Sequence, residues 1–297
     1  MYHNVVATLL FLMALSLTGF AQVSDRSDIR DVRSKKPIDD LEYRFTYRVK
    51  SSQDTSRKQA IFDNEALEVG KRYIRFYSLF AEKMDSTAYL YMSGLKKSKG
   101  DGFLLTEGLG KNERGLYEEI FINYPQHGIM SVCNGIFKKS YEYAEASCQF
   151  SWTFESGTRT VMGYECHKAV TKFRGREWTA WYAIDIPFSY GPWKFGGLPG
   201  LILAISDGDD LFSYELIGLH KAETGEKIFR YDLDYIRCNR KDILNIREME
   251  WKDPSGLASM NGAKMDIVLE QDPKTGQLTR KKAKDYHFDY IPQMEKE

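Results

Sequence analysis

Between Leu41 and Val49 apolar and polar positions alternate: Tyr43, Phe45, Tyr47 and Val49 against Glu42, Arg44, Thr46 and Arg48. Successive side chains of a strand point to opposite faces, so the pattern predicts a half-buried strand. Arg72–Phe76 alternates in the same way, and Leu116–Asn123 reads as a further strand. Ile129–Cys133 and Ile136–Tyr143 flank Asn134-Gly135, a strong short hairpin signal. Phe150–Phe154 and Thr160–Tyr164 flank Glu155–Arg159, Cys166–Phe173 and Trp178–Ala183 flank Arg174–Glu177, and Leu201–Ile205 and Leu211–Leu219 flank Asp207–Asp210. Ile228–Arg237 alternates, and Met265–Glu270 with Leu278–Lys282 forms a last hairpin. Arg240–Trp251 places Ile243, Leu244, Ile246 and Met249 on one helical face, and Gly256–Lys264 suits a second short helix. Phe80–Tyr91 fits either a helix or a strand. Gln53–Leu67 is polar and reads as a loop, and the Gly/Lys-rich Leu95–Gly115 reads as a surface loop. Consecutive hairpins with few helices predict an antiparallel sheet.

One stretch breaks the alternation. Pro187–Gly200 carries prolines at 187, 192 and 199 and glycines at 191, 196, 197 and 200, which exclude a regular helix or central strand. Its aromatics, Phe188, Tyr190, Trp193 and Phe195, argue for an ordered loop with a role. Two roles stay open. The loop plugs the open side of a curved sheet, or Trp181, Phe188, Tyr190, Trp193, Phe195, Leu198 and Leu201 line an apolar ligand site. In Leu198-Pro199-Gly200-Leu201 the Pro-Gly pair predicts a type II turn with Gly200 at positive φ.

The chain has 297 residues, enough for a sizeable core, and its 19 Tyr and 17 Phe favour strands. Lys+Arg and Asp+Glu are both 42, a balance that argues against nucleic acid as partner. Val5–Leu17 is an apolar run of signal-peptide length, and Gly19-Phe20-Ala21 offers a small-residue cleavage site without a cysteine beside it. The expected organisation is a signal peptide over 1–21, a polar extended leader over 22–40 and one β-rich domain over 41–297. The product is expected to be periplasmic or secreted, not a lipoprotein, and without a membrane-spanning segment once processed.

Candidate chemistry is sparse. No metal-ligand spacing links the histidines and cysteines, and Asp207, Asp209 and Asp210 suit a turn better than a calcium loop. No metal and no cofactor is expected. There is no G-x-S-x-G motif, and Glu118-Glu119 reads as solvated charge rather than a catalytic pair. Arg174 and Arg176 read as a solvated hairpin tip, with an acidic ligand as the alternative. If Ser156–Thr158 is the turn of its hairpin, Cys148 faces Cys166 within disulfide reach; the alternative is four reduced thiols.

The order Cys166-His-Lys-Ala, Phe173-Arg-Gly-Arg, Ala180-Trp-Tyr, Ile186-Pro, Gly191-Pro-Trp and Gly197-Leu-Pro-Gly-Leu-Ile resembles the GLPGLI, or Porph_ging, family of Bacteroidetes-type bacteria. The motif residues are Gly197, Leu198, Pro199, Gly200, Leu201 and Ile202. The resemblance implies an exported envelope protein and supplies no catalytic residues. The family's Asn-Pro-Ile-Glu-like ending is replaced here by Tyr290-Ile-Pro-Gln-Met-Glu.

The expected fold is mainly β (α+β): a strongly bent, half-barrel-like antiparallel sheet with one or two packing helices and the aromatic loop as plug. Three functions stay open: a non-enzymatic envelope protein binding an apolar or amphipathic ligand such as a lipid, a peptide or an acylated partner; an interaction module with an envelope protein partner beside an outer-membrane transport system; and a hydrolase.

Overall fold

The computed structural model describes residues 30–52, 60–95, 115, 117–136, 139–260, 267–271, 278–282 and 294–295. The predicted signal peptide, the leader up to residue 29 and most of the Gly/Lys-rich loop lie outside the described residues. In chain order the strands are β1 (Lys35–Ser52), β2 (Ala60–Gly70), β3 (Ile74–Ser78), β4 (Glu118–Ile122), β5 (Ile129–Ile136), β6 (Lys139–Ala146), β7 (Thr153–Val161), β8 (Tyr164–Phe173), β9 (Arg176–Ala183), β10 (Leu201–Asp207), β11 (Phe212–Lys221), β12 (Lys227–Tyr231) and β13 (Ile236–Arg237). The described helices are α1 (Leu79–Met92), α2 (Arg240–Lys252) and α3 (Pro254–Met260), and β14 (Ile267–Gln271) pairs with β15 (Leu278–Lys282) in a separate hairpin.

Strands β1 to β13 make one sheet in the order β13-β6-β5-β4-β3-β2-β1-β11-β10-β9-β8-β7, with β12 alongside the first half of β1. The sheet is open, with β13 and β7 at its two edges. Every pairing is antiparallel except the short β13–β6 contact. β1 is the axis: Tyr43–Ser51 pairs with β11 on one side and Leu41–Ser52 with β2 on the other.

The sheet is strongly bent. Arg174, at the β8–β9 turn, donates from Nη2 to Glu145 Oε2 of β6 at 2.7 Å. Strands lie about 4.8 Å apart, so in a flat sheet these positions would stand roughly 40 Å apart. The inner face carries Phe45, Leu67, Phe76, Ile120, Val132 and Trp178, all buried. On the outer face Arg75, 1% exposed, bonds Glu119, and Arg30 bonds both Glu119 and Asp85. Tyr231 adds a bond to Asp85 at 2.8 Å. These ion pairs fasten α1 and β12 to the sheet.

Several elements differ from the sequence reading. β1 begins at Lys35, inside the predicted leader, because Lys35–Asp40 pairs with β12. Ala60–Gly70 is a central strand although its sequence is polar: Asp63, Glu65 and Glu68 are all buried. Phe80–Tyr91 is helical, and Ser78 Oγ accepts from Ala81 N at its start. Asn134-Gly135 lies within β5, opposite Tyr141-Ser140, rather than in a turn.

The predicted hairpin around Ser156–Thr158 turns elsewhere. Val161 pairs with Tyr164, leaving Met162 and Gly163 at φ 50° and 85°, as a two-residue hairpin turn requires. Gly157, at φ 122°, lies where the register shifts between Glu155 and Thr158, so the Ser-Gly pair forms a bulge. Cys166 therefore faces Arg159 and not Cys148. All four cysteines are free, and the Cys148–Cys166 bridge is corrected.

Candidate functional site

The segment between β9 and β10 is held by its own hydrogen bonds. Gly197 N donates to Ser189 O, Ser189 Oγ to Leu198 O at 2.7 Å, and Ile202 N to Tyr190 O. The lobe so formed projects two adjacent residues, Trp193 and Lys194, into the bend of the sheet. Trp193 adopts φ 55°, a conformation costing roughly 1–2 kcal/mol for a residue with a Cβ. Burial offsets that cost. Its ring lies 5.8 Å from Phe173, 6.2 Å from Trp178 and 5.3 Å from Phe195. Phe195 also meets Phe150 and Trp152, whose indole donates to Gly196 O. Trp193 is 3% exposed and Phe195 1%, and with buried Trp178 they form the core of the cluster, on which half-buried Phe150, Trp152 and Phe173 pack.

Lys194 is buried just as completely, with 2% exposure. Nζ donates to Tyr143 Oη at 2.8 Å and Glu145 Oε1 at 2.9 Å, both on β6, and to Glu295. Glu295 also takes Arg240 Nη1 at 2.8 Å and has Arg174 Nε at 4.0 Å. Burial works against its charge, but Lys194, Arg240 and Arg174 hold the Glu295 carboxyl below the usual carboxylate range. The preceding residue is held as well: Met294 O accepts from Arg176 Nε at 3.2 Å, and Tyr214 Oη lies 3.2 Å from Met294 Sδ.

A polar row crosses the inner face beside this cluster. Tyr141 opposes Asn134, and Asn134 opposes Glu118. Tyr77 opposes Glu119, so Ser78 follows beside Glu118, and Ser78 opposes Glu65, which opposes Tyr47. Glu118 accepts from Trp193 Nε1 at 3.2 Å. Asn134 Oδ1 accepts from Arg247 at 3.0 Å, while its Nδ2 has no hydrogen-bond partner among the described residues. The same holds for Glu65 Oε2. Burial, with Asp63 and Glu118 nearby, pushes the Glu65 carboxyl well above the usual range. Glu118 is also raised by burial, against the pull of Lys194 and Arg247.

Of the residues singled out in the sequence, Trp193, Phe195, Leu198 and Leu201 come together in the core. Phe188 and Tyr190 are half-buried, Phe188 packing on Tyr43 and Phe45 of β1. Trp181 is half-buried on the face of β9 opposite Trp178, by strand alternation. In the motif, Gly197 rather than Gly200 takes positive φ, at 83°, so the type II turn expected at Pro199-Gly200 is corrected. Gly200 is needed for another reason: a Cβ there would lie 2.1 Å from Ala183 O. Arg174 and Arg176 are not a solvated tip, since Arg176 pairs with Asp207 at 2.8 Å and is 6% exposed. Asp207 in turn accepts from Leu211 N and Phe212 N, which commits it to its turn. Glu118-Glu119 is not a solvated pair: Glu119 is buried on the outer face and Glu118 half-buried on the inner one. Lys194, Glu65, Tyr143 and Glu295 were missed. The available signal was a lysine inside an aromatic loop and acids at strand-like spacing.

The class so defined is a mainly β protein with one large open sheet. The family model described as "Protein of unknown function (Porph_ging)" matches residues 174–204, the family that the sequence resembles. No curated protein matches. Among solved structures, two crystal forms of PNGF-II are similar, at 15% identity with a TM-score of 0.45 and at 14% with 0.43. Each alignment covers 71% of this chain and 33% of PNGF-II, so the chain spans about a third of that protein's length. No helix among the described residues is long and apolar enough to cross a membrane.

Proposed function

We propose that this chain is an exported, non-enzymatic interaction module of the cell envelope, in which the aromatic loop is a fixed plug of a half-barrel-like sheet. The carrying observation is the aromatic cluster: Trp193 at 3% and Phe195 at 1% exposure are packed into the core against Phe173 and Trp178, which favours a plug over an open apolar site. Export rests on the apolar run Val5–Leu17 and the small residues before Gln22. A second reading, a small polar ligand on the inner row, is favoured by the unpartnered Glu65 Oε2 and Asn134 Nδ2.

Native mass spectrometry of the protein purified from its own envelope tests the choice. The expected spectrum shows the bare chain or its complexes with other proteins. A stoichiometric lipid-sized apolar adduct overturns the interaction reading. A small polar adduct lost in Glu65→Ala favours the second reading.

A further inference from the structure

Met294 and Glu295 are gripped by side chains from five separate elements. Glu295 meets Lys194 of the loop, Arg240 of α2 and Arg174 of the β8–β9 turn. Arg176 of β9 bonds the Met294 carbonyl, Tyr214 of β11 touches its sulfur, and Tyr143 and Glu145 of β6 orient Lys194. One group reads a carboxylate, one a backbone carbonyl and one a thioether. Those are the elements of short-peptide recognition, and three cations around one carboxylate set the charge of the peptide. Lys194 and Arg176 are buried at 2% and 6% exposure, so the site is built into the core and does not depend on surface charge.

We propose that Arg174, Arg176, Lys194, Arg240 and Tyr214 form a recognition site for an acidic peptide segment. Residues 294–295 fill it in cis, and it admits a partner protein's acidic segment when they are displaced. The proposal rests on the interaction reading above and names the chemistry of the partner. Tethering gives the internal segment an effective concentration of about millimolar order, so a peptide in trans competes poorly until the internal contact is weakened.

The test uses the full chain with Glu295→Arg, which sets a fourth cation against the cluster, and Glu295→Ala as a second variant. The probes are a synthetic peptide of residues 288–297 and the same peptide carrying Gln in place of Glu295. The native peptide is expected to bind either variant at least tenfold more tightly than it binds the unaltered chain, and to raise the variant's Tm. The Gln peptide is expected to bind at least tenfold more weakly. A variant that folds only in the presence of the native peptide gives the same result. Absence of binding to the variants up to millimolar peptide, equal effects of the two peptides, or equal binding to variant and unaltered chain overturns the proposal. A lipid-sized adduct in native mass spectra overturns the interaction reading alone, and failed peptide binding without such an adduct overturns the peptide site alone.

Discussion

Glu118 and Glu119 are neighbours in β4, and their environments are opposite. Glu119 faces outward into a closed set of ion pairs, with Arg75 Nε at 3.0 Å and Arg30 Nη1 at 2.6 Å. Burial works against its charge, yet those two guanidinium groups hold its carboxyl below the usual range. Glu118 faces inward and receives one indole N–H, so burial prevails and its carboxyl is raised. Glu119 is buried and Glu118 half-buried. The difference lies in the number of donors and cations within reach, and strand alternation decides which face each acid sees. The outer face uses buried charge to fasten elements together. The inner row holds Glu65 Oε2 and Asn134 Nδ2, which have no hydrogen-bond partner among the described residues.

Trp193→Ala should have the largest effect, because it removes the indole that joins the aromatic cluster to Glu118. Buried large-to-Ala changes cost about 3–5 kcal/mol, and thermal melting should show it as a clear fall in Tm. An unchanged Tm would separate the loop from the inner row and undo that side of the contrast.

Glu119→Gln comes next. Breaking a buried pair costs about 3–5 kcal/mol, and the lower end is expected because Arg75 keeps Glu68 and Arg30 keeps Asp85. Its folded-state pKa is depressed, so its contribution is present above the unfolded-state value near 4.3 and is lost as pH falls through the folded value. Urea unfolding at pH 7 and pH 3 should show the penalty of the variant at pH 7 and its reduction at pH 3. A penalty unchanged at pH 3 would place its origin in packing rather than charge.

Glu65→Gln should act in the opposite sense. The folded-state pKa of Glu65 is raised, so the folded form holds its proton more tightly and loses stability as pH rises from the unfolded value to the folded one. The variant removes that loss and should be more stable than the unaltered chain at pH 8, with less gain at pH 5. Denaturant midpoints at the two pH values measure it. A loss of stability at pH 8 would mean that the inner row needs the ionised acid.

The smallest effect concerns the thiols. Burial, with Glu142 beside it, pushes the Cys133 thiol up to about 12, while Cys148 is partly exposed. Native alkylation without reductant should label Cys148 and spare Cys133 until the chain is unfolded, and reductant should leave Tm unchanged. Peptide mapping that finds Cys148 joined to Cys166 would restore the bridge that the register argues against.

Much of this was local and therefore legible. The hairpins Cys166–Phe173 with Trp178–Ala183 and Leu201–Ile205 with Leu211–Leu219 were written in alternation and turn residues, as was the helix over Arg240–Trp251, whose Asn239–Asp242 capping box lies just ahead of its apolar face. That Gly200 tolerates no side chain was also legible, though the expected cause, a positive φ, was not the real one. At Gly200 it is the carbonyl of Ala183, sixteen residues or more away from most of what the turn rule considers. β2 was hidden because hydropathy assumes that Asp63, Glu65 and Glu68 face water, and only the finished sheet encloses them. Chain-local chemistry thus determined a mainly β protein with a conspicuous aromatic loop. The curvature that brings Arg174 to Glu145, Lys194 to Glu295 and Trp193 to Glu118 was decided by tertiary structure alone, because such contacts join residues 29, 101 and 75 positions apart, and no local pattern encodes which distant groups will share a buried charge.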